Sequence, residues 1–132
     1  METMALRQAL LTRLGHFPER VPLTPLIGTT INEGAYTRAL VTYVVEAGEQ
    51  VSAWLLTPQG ATPPGGWPAV LAIHQHANQY DLGKAEPAGL AGNPMYAYGK
   101  ELCQRGYVVL CPDLLCFEER RPAYPTGCAT SC

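Results

Sequence analysis

Two imidazoles one residue apart, His74 and His76, follow directly on an uninterrupted apolar run, Ala69 to Ile73. A second apolar run, Tyr107 to Cys111, ends on Pro112-Asp113 and then Leu114-Leu115-Cys116-Phe117-Glu118-Glu119-Arg120-Arg121. Polar groups therefore gather just past two apolar segments, with Gln75, Ala77, Asn78, Gln79 and Tyr80 completing the first group. If both segments are parallel strands, these are the carboxyl ends at which open sheets bind ligands. The candidate substrate-binding residues on that rim are Tyr80, Asp113 and Glu118.

Each of these residues also has a structural explanation. His74 either works in a site or simply finishes a buried strand, hydrogen-bonded to a neighbouring loop. Asp113 reads equally as a cap or turn residue after Pro112. Glu118-Glu119-Arg120-Arg121 is a balanced charge run of the kind that usually lies on a solvated surface. Two histidines at i and i+2 share one face of a strand and can chelate. A metallo-hydrolase needs an acid and a further histidine close behind, and those places hold Asn78 and Gln79. His16 is far upstream, so neither a metal nor another cofactor is expected.

Acyl transfer by a nucleophilic side chain needs a serine or cysteine on a sharp strand-to-helix turn, usually G-x-S-x-G. The serines are Ser52, inside a predicted strand without flanking glycines, and Ser131, next to the last residue. Cys128 follows Gly127, but Thr130 stands where the second glycine belongs. No histidine follows His76 to complete a triad in the usual hydrolase order.

The surrounding elements follow from periodicity. Met4 to Leu14 carries Leu6, Leu10, Leu11 and Leu14 at helical spacing, with Gly15 as a cap. Three prolines between Phe17 and Pro25 predict an extended arm. Ala39 to Val45, a turn over Glu46-Ala47-Gly48-Glu49, and Val51 to Leu56 predict a β-hairpin ending before Thr57-Pro58. Gln59 to Pro68 is a proline- and glycine-rich surface loop. Ala69–Ile73 reads as a strand covered on both faces. His74 to Asn93 is polar, glycine-bearing and without period. Asn93 and Pro94 start a helix over Met95–Gln104 that Gly106 ends. Tyr107–Cys111 is the second buried strand, and the remainder through Pro122 and Pro125 is loop. The fold class is therefore α/β: an N-terminal helix and arm over residues 1–37, then an antiparallel hairpin and a parallel βαβ unit over 38–132.

The 132 residues carry 9 basic and 11 acidic side chains, a balance that argues against nucleic acid or an anionic membrane as partner. No apolar run approaches the roughly 20 residues of a membrane span. Arg7, Gln8 and Arg13 interrupt the N-terminal apolar stretch, unlike a secretory signal, so a cytoplasmic location is expected. The five cysteines contain no C-x-x-C pair, so free thiols are expected in preference to a disulfide framework.

Pro68-Ala69-Val70-Leu71-Ala72-Ile73-His74-Gln75-His76, Leu82-Gly83-Lys84, and Gly106-Tyr107-Val108-Val109-Leu110-Cys111-Pro112-Asp113 together resemble the dienelactone hydrolase-like and acetyl xylan esterase-like branch of the α/β-hydrolases. Val51-Ser52-Ala53-Trp54-Leu55-Leu56-Thr57-Pro58 fits the hairpin strand that precedes that family's parallel sheet. The resemblance covers about residues 38–121. It implies a partial α/β-hydrolase fold in which His74, Gln75, His76 and Ala77 form the oxyanion-hole loop. One backbone donor there can contribute ~3 kcal/mol to transition-state stabilisation. It also implies a small ester-type substrate, bound only once a nucleophile elbow is supplied, and a chain that is inactive alone. A non-catalytic small-ligand or protein-binding module is the alternative. In the family's sheet the 69–73 strand lies between the 107–111 strand and the strand leading to the nucleophile. Without that last strand, 69–73 becomes an open edge through which the chain is expected to form homo-oligomers.

Overall fold

The computed structural model describes residues 2–121. Its centre is the antiparallel pair of β3 (Tyr36–Glu46) and β4 (Glu49–Pro58). Alternating Val, Leu, Ala and Tyr residues favour this pleated pair. A two-residue turn, Ala47-Gly48, joins them with Gly48 in the left-handed region at φ +81. The hairpin is longer than the sequence pattern predicts. β3 starts at Tyr36 rather than Ala39, and β4 continues through Thr57-Pro58 instead of stopping before them. Pro58 is accommodated because it forms the last pair of the ladder, opposite Tyr36. Two short strands, β1 (Leu26–Ile27) and β2 (Ile31–Asn32), pair with the other side of β3, so the end of the N-terminal segment joins the sheet.

The other side of β4 carries β6 (Val108–Pro112), antiparallel, and β6 in turn carries β5 (Ala69–Leu71), parallel. The sheet order is β1-β3-β4-β6-β5, with β2 also on β3. The chain between β5 and β6 passes through α2 (Tyr98–Gln104), so the expected crossover is present in a mixed sheet.

Three expectations about this unit are corrected. β5 is three residues long, not five, and it is covered on one face only. Val70 and Ala72 pack toward α2, whereas Leu71 and Ile73 are 60% and 42% exposed. An apolar run alone cannot tell a strand buried on two faces from an edge strand buried on one. The predicted continuous helix is also interrupted. Asn93 caps as expected, its Oδ1 accepting from the Met95 N–H at 3.0 Å, but Pro94–Tyr96 form a 3-10 turn and Ala97 leaves helical geometry at ψ 35. The chain bends there so that α2 can start against Pro87. The Lys100 N–H, lacking a partner inside the first turn, donates to the Pro87 carbonyl at 3.0 Å. A Cβ on Gly99 would lie 2.7 Å from that oxygen and 2.9 Å from Cys111 Sγ, so the contact between α2 and β6 requires glycine. Gly106, at φ +95, follows the helix as expected.

The core lies between α2 and one face of the sheet: Tyr36, Leu56, Ala72, Ala88, Cys103, Val109 and Cys111, with Trp54, Val70, Tyr98 and Leu102 packed against it. Helix α1 (Glu2–Leu14) forms as predicted, but its apolar stripe is not buried, with Leu6, Leu10 and Leu14 all more than half exposed. Cys103 and Cys111 are buried free thiols. Cys116 departs from the free-thiol expectation: it is disulfide-bonded. The predicted loop around Pro122 and Pro125 lies outside the described residues. Among the described residues, no helix is long and apolar enough to cross a membrane.

Candidate functional site at the carboxyl ends of β5 and β6

Because β5 and β6 are parallel neighbours, the segments that follow them emerge on the same edge of the sheet. One hydrogen bond joins them directly. The Leu114 N–H donates to His74 Nε2 at 3.1 Å. A ring nitrogen that accepts an amide proton carries none itself, so the proton of a neutral His74 resides on Nδ1. Nδ1 lies 2.8 Å from the Gln75 carbonyl oxygen and donates to it. His74 is 4% exposed, and its ring packs on Phe117 at 4.6 Å between centroids. The polar residue bonded to a neighbouring loop is thus what the structure contains, although β5 itself ends three positions earlier, at Leu71.

His76 projects to the exposed side. Its Nδ1 accepts from the Asn78 N–H at 3.4 Å and its Nε2 faces the Tyr80 hydroxyl at 3.4 Å. The Tyr80 and His76 rings both pack on buried Phe117, at 5.1 and 5.3 Å. The loop between them turns sharply, with Ala77 at φ +40 and Asn78 at φ +55. Left-handed geometry costs a non-glycine residue roughly 1–2 kcal/mol, so two in succession mark a backbone held by its surroundings. The hold is visible at the next peptide, where the His76 carbonyl accepts from the Gln79 N–H at 3.1 Å. Among the described residues, the N–H groups of Gln75, His76 and Ala77 donate to no protein acceptor.

Behind this rim lies an ionic cluster that the sequence pattern does not announce. Lys84, 1% exposed, extends its Nζ to Asp113 Oδ2 at 2.7 Å, Glu118 Oε1 at 2.8 Å and Glu119 Oε1 at 3.2 Å. The backbone joins in. Asp113 Oδ1 accepts from the Lys84 N–H at 2.7 Å, and Glu118 Oε2 accepts from the Gly83 and Ala85 N–H groups at 3.0 Å each. Burial works against the Lys84 ammonium, but the surrounding carboxylates outweigh it and hold its pKa above the ordinary lysine value. Burial pushes the Asp113 carboxyl upward, against the pull of the Lys84 ammonium and amide.

The predicted substrate-binding residues therefore occupy different environments. Tyr80 stands at the rim beside His76. Asp113 is 1% exposed and both its oxygens are engaged by Lys84. Both oxygens of Glu118 are likewise engaged by residues 83–85. The expectation that the 118–121 charge run is solvated holds for Glu119 and Arg121, which are exposed, and is corrected for Glu118 and Arg120. Arg120 turns inward to the Asp113 carbonyl at 3.2 Å and Glu49 at 2.7 Å, and Arg121 pairs with Asp81. Gln75 donates to buried Glu86 at 3.3 Å.

A cavity of about 280 Å³ lies elsewhere, lined by Gly89, Leu90, Ala91, Gly92, Pro94, Ala97 and Lys100, and includes none of the predicted site residues. Among its lining residues Lys100 is the one charged side chain, and the Glu86 carboxylate lies against Gly92. No group of three or more His, Cys, Asp or Glu residues is arranged to hold a metal ion among the described residues. Comparison with family models, with curated proteins and with solved structures finds no match to this chain.

Proposed function

We propose that this chain supplies the oxyanion-hole side of a carboxylic-ester hydrolase of the α/β-hydrolase type, and that it has no turnover on its own. The observation that carries this reading is the loop at the end of β5. Its His76 and Ala77 N–H groups have no protein acceptor among the described residues, and both peptides are clamped from behind. A preorganised backbone donor in this loop is one of the donors that a developing alkoxide of a tetrahedral intermediate requires. Donors fixed before the reaction need no reorganisation when the charge appears.

Two further features support the reading. β5 is parallel to β6 and lies outside it, as expected of a sheet whose next strand would lead to a nucleophile. The left-handed pair Ala77-Asn78 turns the loop sharply just after the donor, and the Gln79 N–H fixes that turn on the His76 carbonyl. The attacking side chain, its base and the second oxyanion donor have no counterpart in the G-x-S-x-G sense within the sequence.

The test is hydrolysis of a chromogenic short-chain ester by the purified chain and by the chain extended through its downstream reading frame. Turnover confined to the extended protein supports the proposal. Robust turnover by the 132 residues alone overturns it.

A further inference from the structure

We propose that His74 is a positioning residue that aims the His76 N–H, and that this amide is the principal anion donor of the rim. The proposal rests on the oxyanion-hole reading above and names the donor and what orients it. A trans peptide is planar, so the carbonyl of Gln75 and the N–H of His76 point in opposite directions as one rigid unit. His74 Nδ1–H holds that carbonyl at 2.8 Å from inside the protein. The His76 N–H is thereby directed away from the His74 ring, and His76 is exposed.

The grip depends on a proton being on Nδ1, and a second group sets that. The Leu114 N–H at Nε2, 3.1 Å away, cannot coexist with an Nε2 proton. Leu114 is itself fixed by its predecessor, since Asp113 is bonded twice to Lys84. A continuous path therefore runs from Lys84 through Asp113, the Leu114 amide and the His74 ring to the Gln75–His76 peptide. It joins the segment after β6 to the loop after β5 through one imidazole tautomer. Phe117, 2% exposed, covers the ring and limits its rotation. The next peptide is set independently, by the Gln79 N–H on the His76 carbonyl, so the Ala77 donor should not depend on His74.

Two substitutions separate the two halves of the grip. The amide of Asn can stand at the place of Nδ1, and that of Gln at the place of Nε2. H74N can keep the bond to the Gln75 carbonyl and loses the acceptor for Leu114. H74Q keeps the acceptor and loses the bond to Gln75. The experiment titrates the ¹⁵N-labelled 132-residue chain with inorganic phosphate and follows backbone amide shifts. Side-chain ¹⁵N spectra of the unsubstituted chain report the His74 tautomer.

In the unsubstituted chain the His76 amide should move saturably and His74 should carry its proton on Nδ1. The response should persist in H74N and weaken about tenfold in H74Q, the loss expected for one misdirected bond to a charged group. The Ala77 amide should respond in both variants. An Nε2–H tautomer, or an equal His76 response in H74Q, overturns the positioning role and leaves the oxyanion reading standing. No saturable response from any rim amide of the unsubstituted chain overturns both. The tautomer is read without any substitution, so a variant that fails to fold does not shield the proposal.

Discussion

Lys84 and Asp113 bind each other twice: Nζ reaches Oδ2 and the backbone N–H reaches Oδ1, both at 2.7 Å. The two-point bond fixes the direction of the carboxylate as well as its position. Neither side chain is more than 1% exposed, so water screens the pair weakly. It joins the turn-rich segment after the rim loop to the first residue beyond β6. Glu118 extends the same clasp to Gly83 and Ala85.

Removing the cation should expose the cost of this arrangement. Lys84→Met leaves Asp113 buried beside Glu118 with no compensating charge, and such losses run to about 3–5 kcal/mol. Urea unfolding of the variant should show that loss near neutral pH. The deficit should shrink in acid, where Asp113 can take up a proton instead. Lys84→Met combined with Asp113→Leu should recover much of it, because an apolar pair carries no desolvation penalty. A single variant as stable as the parent would mean that the clasp is not formed in solution.

Gly83 tests the closeness of the same contact. A Cβ there would collide with the Asp113 carboxylate and stand 2.9 Å from Glu118 Cβ. Gly83→Ala must therefore push the two segments apart, at a cost of about 1–3 kcal/mol by the usual measure of overpacking. Gly34→Ala serves as a comparison, since nothing lies within 4 Å of the place its Cβ would take and only its φ of +83 resists the change. The two variants should differ in amide exchange. G83A should loosen residues 113–118, and G34A should not.

Hairpin and crossover are legible because their signals are local. Alternation in 39–56, the Gly48 turn and the Asn93-Pro94 start each depend on neighbours within a few residues. Lys84 is not legible, because its partners lie 29 and 34 residues away and it sits in a polar, glycine-bearing stretch that resembles a solvated loop. Asp113 and Glu118 can be assigned to the rim, but nothing in their own surroundings indicates that they point inward. The two-sided covering expected for Ala69–Ile73 fails for a related reason. Apolar composition records what a strand could bury, and Leu71 and Ile73 remain exposed because the described residues place nothing over that face. The loop from His74 to Ala77 is located by its position after a strand; Asn78 is of a type that tolerates left-handed geometry, whereas nothing in the residue type marks Ala77.

Alkaline pH should weaken the fold through three buried groups. Burial pushes the Cys103 thiol up to about 11 and the Cys111 thiol up to about 12, and the carboxylates around Lys84 raise its pKa as well. In each case the folded pKa lies above the unfolded one, so the folded chain holds protons that the unfolded chain releases. The stability they contribute is fully present below the ordinary thiol value of about 8.5, near which unfolded thiols are half ionised. It declines as pH rises toward 11 and 12 for the thiols, and above the ordinary lysine range for Lys84. Thermal melts from pH 7 to 11 should show a midpoint falling from about pH 9 onward. Cys103→Ala with Cys111→Ala should lower the midpoint at pH 7 and flatten the alkaline decline. An unchanged slope in that variant would remove the thiols from this account.

The edge of the sheet gives the last prediction. Among the described residues β5 pairs on one side only, with β6, and the Leu71 and Ile73 side chains are exposed on the face away from α2. Exposed apolar edges pair with other chains, and natural edges suppress this with lysine. The purified chain should therefore elute larger than a monomer at concentrations on the order of tens of micromolar. Leu71→Lys leaves the core untouched, because that side chain is 60% exposed, and should shift elution to the monomer without lowering the melting midpoint. If the parent chain is already monomeric at the same concentration, the β5 edge does not drive association. If both chains remain equally large, association runs through another surface, and the exposed leucines of α1 at positions 6, 10 and 14 would be the next to substitute.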